Sequence, residues 1–142
     1  MAADPLLDVL KRATATGATE ADGYLIEERS FSAQVRLDQV ETVAHSHDQR
    51  LALRVFVGRA SAAASTSDLS RESLERLVDE ATSLARVTAE DPLAGLPGPA
   101  ALIGRIPDLD LADPRGHDLT AEEKVDLARR AEAAARSEDP RI

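Results

Sequence analysis

At 142 residues and a formal net charge of -9, the chain is one domain in length and presents an acidic surface, which argues against binding the phosphates of nucleic acid. The absence of cysteine excludes a disulfide framework and thiolate metal sites, zinc fingers among them. The hydrophobic share of 43% leans on alanine, and the aromatics are only Tyr24, Phe31 and Phe56, so the core is thin and packing against a partner or a further domain is expected.

The start, Met1-Ala2-Ala3-Asp4-Pro5, has no basic region, and no apolar run approaches the ~20 residues of a membrane span, so the expectation is a soluble, cytoplasmic protein that is not exported. Asp4 before Pro5 is a helix start, because the carboxylate can accept from the free first-turn amides and proline there loses no hydrogen bond. Leu6, Leu7, Leu10 and Ala13 form its apolar stripe, and Gly17 is a suitable stop.

Ala21 to Asp68 alternates apolar and polar residues and reads as the sheet around which the chain is organised. A first strand from about Asp22 to Leu37 changes phase: Tyr24 and Ile26 share one parity, Phe31, Ala33, Val35 and Leu37 the other, which a bulge near Glu28 to Ser30 would reconcile. Leu37-Asp38-Gln39 turns into a polar second strand, Val40 to Ser46. Asp48-Gln49-Arg50 turns into a third, Leu51 to Gly58, with Leu51, Leu53, Val55 and Val57 on one face. Phe56 breaks the polar face of that strand and is read as a contact toward structure that this chain lacks. Gly58-Arg59 turns into a fourth strand of small residues, Ala60 to Ser67.

Ser70 caps a helix whose stripe is Leu74, Leu77, Val78, Ala81, Leu84 and Ala85. Residues 88–118 hold five of the seven prolines and four of the seven glycines, which predicts a long connection carrying apolar islands at Leu93 and Leu96, Leu102 and Ile103, and Leu109 and Leu111. Thr120-Ala121-Glu122-Glu123 fits a capping box and opens a last helix with inward positions Val125, Ala128, Ala131 and Ala135. The expected fold is α+β: an antiparallel four-stranded meander packed against two or three helices, forming a single domain over 1–142 with 88–118 as its Pro/Gly-rich connecting segment.

No catalytic constellation emerges from the residues alone. His45 and His47 would share one side of a strand with Asp48 following, but nothing supplies the further ligands that zinc needs, and His117 reads as a loop residue. The hydroxyls Ser61, Ser65, Thr66, Ser67 and Ser70 lack an assignable base, and Glu27, Glu28 and Glu41 read as solvated. No phosphate loop is present, since Gly95, Gly98, Gly104 and Gly116 lie among prolines. The residues assign no catalytic, cofactor-binding or metal site.

The chain nevertheless resembles the N-terminal domain of the TldD/PmbA (TldE) metallopeptidase family along its whole length. The resemblance rests on Gln39-Val40-Glu41-Thr42-Val43, Leu53-Arg54-Val55-Phe56-Val57-Gly58, Ala64-Ser65-Thr66-Ser67-Asp68-Leu69-Ser70, Asp91-Pro92-Leu93-Ala94-Gly95-Leu96, Pro107-Asp108-Leu109-Asp110-Leu111 and Asp139-Pro140-Arg141-Ile142. The serine-rich segment and Asp108-Leu109-Asp110-Leu111 are more similar to the PmbA/TldE branch. The resemblance implies a two-domain cytosolic protein that pairs with a TldD-type subunit and acts on extended, unfolded peptides, with zinc only in the C-terminal domain of the TldD-type subunit. Its zinc motif, His-Glu-x-x-x-His with a later Cys, is absent from this chain, so no catalytic residue transfers, and whether the chain takes part in catalysis at all stays open. The abrupt end after Ile142 is expected to be a cut before the next strand. A free-standing protein-interaction module is the alternative, and the genomic sequence beyond Ile142 separates the two.

Overall fold

A computed structural model of the chain describes residues 4–102, 104–116, 118–139 and 141; Ile103, His117, Pro140 and Ile142 lie outside the described residues. The Asp4 carboxylate accepts from the Leu6 and Leu7 amides and starts α1 (Pro5–Ala15). Gly17, with φ +108, follows its end. Three strands come next, β1 (Glu20–Arg36), β2 (Gln39–Val57) and β3 (Ala60–Thr66), then α2 (Arg71–Val87) and, after two short 3-10 turns, α3 (Ala121–Glu138). Ser70 caps α2 by accepting from the Ser73 amide, and Thr120 with Glu123 forms the expected capping box at α3.

The fold is α+β, with one three-stranded antiparallel sheet in the order β1-β2-β3 where four strands were expected. The second and third predicted strands are one: Asp48-Gln49-Arg50 has turn-forming composition yet runs extended within β2. Residues 39–50 are exposed throughout, so polar side chains there face water without interrupting the backbone pairing. Exposure along β1 differs between the two sets of apolar residues. Ala21, Phe31, Ala33 and Val35, all of one parity, are partly covered, while Tyr24 and Ile26 are 54% and 52% exposed.

Two compact units divide the chain, residues 1–28 with 48–104 and residues 29–47 with 105–142, and β1 and β2 contribute to both. The first unit holds the hydrophobic core. Leu51, Leu53 and Val55 of β2 pack with Val9 and Ala13 of α1 and Leu77, Val78, Ala81 and Ala85 of α2. Two helical stripes differ from expectation: Val9 is buried in α1 while Leu7 is 52% exposed, and Ser73 and Thr82 are buried in α2 while Leu84 is 45% exposed. β3 pairs with β2 from Leu51↔Thr66 to Val57↔Ala60. Gly23 of β1 sits so close to this strand that a Cβ added there would lie 2.6 Å from the Ala52 carbonyl oxygen.

Phe56 corrects the sequence reading. It is 2% exposed with no other chain present, so its cover is this chain's own. Phe56 is not part of the cluster formed with the helices. The Arg54 guanidinium lies 5.1 Å from its ring centroid, held there by two hydrogen bonds to the Asp22 carboxylate at 2.8 and 2.6 Å. Nearby backbone is tied across: the Asp91 amide donates to the Arg59 carbonyl, the Arg59 guanidinium to the Ala94 carbonyl, and the Leu96 amide to Glu20.

The second unit is built differently. It contains the distal parts of β1 and β2 and α3, and among its described residues none is buried. The inward side of α3 is Lys124, Val125, Ala128, Glu132, Ala135 and Arg136, all partly covered, whereas the expected Ala131 is exposed.

Candidate functional site

The polar groups singled out in the sequence are scattered. His45, His47 and Asp48 are exposed on β2, and among the described residues no three His, Cys, Asp or Glu side chains converge to hold a metal ion. His117 lies outside the described residues. Glu41 faces Arg36 at 4.0 Å across the hairpin.

The hydroxyl run resolves into a helix-end network. Asp68 accepts from the Ser73 hydroxyl at 2.7 Å and from the Ser70 amide and hydroxyl at 2.8 and 3.0 Å. Arg76 donates to the Ser73 hydroxyl at 3.0 Å. The Ser73 bond first, then those from Ser70, hold the Asp68 carboxyl below its ordinary range. An acceptor-only carboxylate serving the start of α2 organises the helix end.

The least expected arrangement is at the β1–β2 hairpin. Leu37 and Asp38 have φ of +52° and +60°, the left-handed pair of a two-residue I′ turn, although neither is glycine. Consecutive amides in such a turn converge on one point and favour an anion. Glu132 of α3 supplies it, accepting from the Leu37 amide through Oε1 and from the Asp38 amide through Oε2 at 2.9 Å. Arg129 adds an ion pair to Asp38 at 3.9 Å, and Lys124 lies 5.2 Å from the Phe31 ring centroid. Sequence reasoning placed Ala131 where Glu132 acts, because a carboxylate in an apolar stripe gives no periodic signal. The missing turn glycine was the available clue.

The strands also leave backbone open. β2 lies between its neighbours only from Leu51 to Val57; among the described residues β3 does not continue alongside Gln39–Arg50. The Val40 to His47 stretch is thus unpaired by β3, and β1 and β3 are the outer strands.

Comparison with known proteins accounts for this fold. Residues 21–85 match the model of PmbA/TldA metallopeptidase domain 1. The metalloprotease PmbA of Escherichia coli O157:H7 is 37% identical over 79% of this chain, and the PmbA homolog of Haemophilus influenzae is 32% identical over 92% of it. The chain belongs to the PmbA/TldD family. It corresponds to the N-terminal domain on the PmbA/TldE side, and it spans 24% and 28% of the length of those two relatives. Two crystal structures share the fold of this PmbA/TldD domain. A Bacteroides thetaiotaomicron protein described as a candidate modulator of DNA gyrase matches with a TM-score of 0.79, 24% identity, and coverage of 92% of this chain and 30% of its own. TldE of Thermococcus kodakarensis matches with a TM-score of 0.66, 17% identity, and coverage of 96% and 30%.

Proposed function

We propose that the chain is the N-terminal scaffold of a PmbA/TldE-type subunit, working in the cytoplasm with a TldD-type partner in the proteolysis of unfolded peptides and contributing no zinc ligand of its own. The observation that carries this reading is the identity of 32% over 92% of the chain to a PmbA homolog, joined to the absence from its sequence of cysteine and of any histidine followed by glutamate. In this reading zinc belongs to the C-terminal domain of the TldD-type subunit, and this domain shapes the dimer and the chamber around an extended peptide. Unpaired strand backbone supports that role, since main-chain hydrogen bonds accept peptides of any sequence. No helix among the described residues is long and apolar enough to cross a membrane.

Two measurements test it. Equilibrium dialysis against zinc should leave the chain without stoichiometric metal, and one tightly held zinc per chain would refute the scaffold reading. Size-exclusion chromatography of the chain with a TldD-type subunit from the same source should give a joint peak, and separate elution at micromolar concentration would remove the partner assignment.

A further inference from the structure

We propose that α3 is a detachable clamp on the β1–β2 hairpin, held by charge-assisted contacts in place of a hydrophobic core. The second unit leaves little alternative: α3 buries no residue completely, Leu127 is 45% exposed, and Val43 on the facing strand is 50% exposed. Val43 and the first turns of α3, at Ala121, Val125 and Arg129, border a gap of about 310 Å³. Apolar area removed from water therefore contributes little to holding the helix.

Polar contacts do the holding, and they are spread along the helix. Lys124 meets Phe31 near its start, Arg129 meets Asp38 in its middle, and Glu132 closes on the two turn amides a further turn along. The Glu132 contact is the strongest of the three, since a carboxylate taking two backbone donors forms charge-assisted bonds that a neutral side chain cannot match. It also satisfies a turn whose converging amides need an anion. When the clamp opens, the turn amides lose their carboxylate and the partly covered Phe31, Ala33 and Val35 become accessible, while the first unit, with its separate core, stays folded.

Hydrogen exchange read by mass spectrometry tests the clamp. In E132Q, which keeps the side-chain shape but removes the charge, exchange over residues 121–138 and at the turn should rise about tenfold, with residues 51–57 and α2 unchanged. Lys124→Met, which keeps the apolar stem, should give a smaller rise over the same residues. Raising NaCl from 0.05 to 1 M, which shortens the screening length to about 3 Å, should speed α3 exchange in the unsubstituted protein. Unchanged α3 exchange in E132Q, exchange that rises equally in α2, or α3 exchange indifferent to salt would each overturn the proposal.

Discussion

Gly23→Ala is the sharpest test of how the first unit is packed. The added methyl would meet the Ala52 carbonyl oxygen at 2.6 Å, a backbone atom that cannot rotate away, and the Leu6 side chain at 3.1 Å. Ordinary contact begins near 3.4 Å, so the strands must part by most of an ångström. Ala52 cannot yield freely, because its neighbours Leu51 and Leu53 are 0% and 1% exposed within the core. Overpacking of this kind costs about 1–3 kcal/mol, offset by about 0.4–1 kcal/mol from the lower entropy of the unfolded alanine chain. A net loss of about 1–2 kcal/mol follows; at a urea slope near 1.5 kcal/mol/M it lowers the midpoint by about 1 M. Gly98→Ala is the internal control, with nothing within 4 Å of the added carbon and an ordinary φ of -63°. Its midpoint should hold or rise. Equal midpoints for the two variants in urea titrations followed by circular dichroism would refute the close-approach argument.

Three further outcomes follow from particular contacts. Leu37→Asn should stabilise the hairpin by about 1 kcal/mol, since asparagine tolerates φ +52° far better than leucine and the side chain surrendered is 57% exposed; slower exchange of the turn amides would report it. Thr82→Val should raise the unfolding midpoint by the equivalent of about 1 kcal/mol, because the Thr82 hydroxyl is buried without a hydrogen-bond partner and the valine methyl needs none. Acid should loosen α3: the Thr120 amide, then its hydroxyl, hold the Glu123 carboxyl below its ordinary value, so the cap is fully present above the unfolded glutamate value of about 4.3 and is lost as pH falls through the lower folded one. Helical circular dichroism of Glu123→Ala should show a smaller acid step.

Local chemistry made the element ends of this protein readable. Asp4-Pro5, Ser70 and Thr120 with Glu123 each place a known acceptor against free amides a few residues away, and nothing distant competes with them. Phase within an element was readable where one face meets the core, as at Leu51, Leu53 and Val55. It failed where neither face does. Asp48-Gln49-Arg50 resembles a turn because polar residues gather there, but a strand exposed on both sides carries the same composition. Phe56 misled for a related reason: its cover includes Arg54 two residues away, anchored in turn by Asp22 on the neighbouring strand, a pairing that spacing along one strand does not reveal.

The hairpin tip shows how such a gap in the pattern can carry information. Glycine or asparagine would relieve the left-handed pair at Leu37 and Asp38, yet neither position holds one, so something outside the turn must stabilise it. The stretch that matches the family model, residues 21–85, contains the turn but ends before α3, so the Glu132 carboxylate comes from outside that stretch. A conformation costly within the hairpin and an anion supplied from α3 are complementary halves of one contact. Joining them explains why an alanine-rich helix with no buried residue carries a carboxylate on its inward side, and it ties the order of α3 to the geometry of two turn residues more than 90 positions earlier in the chain.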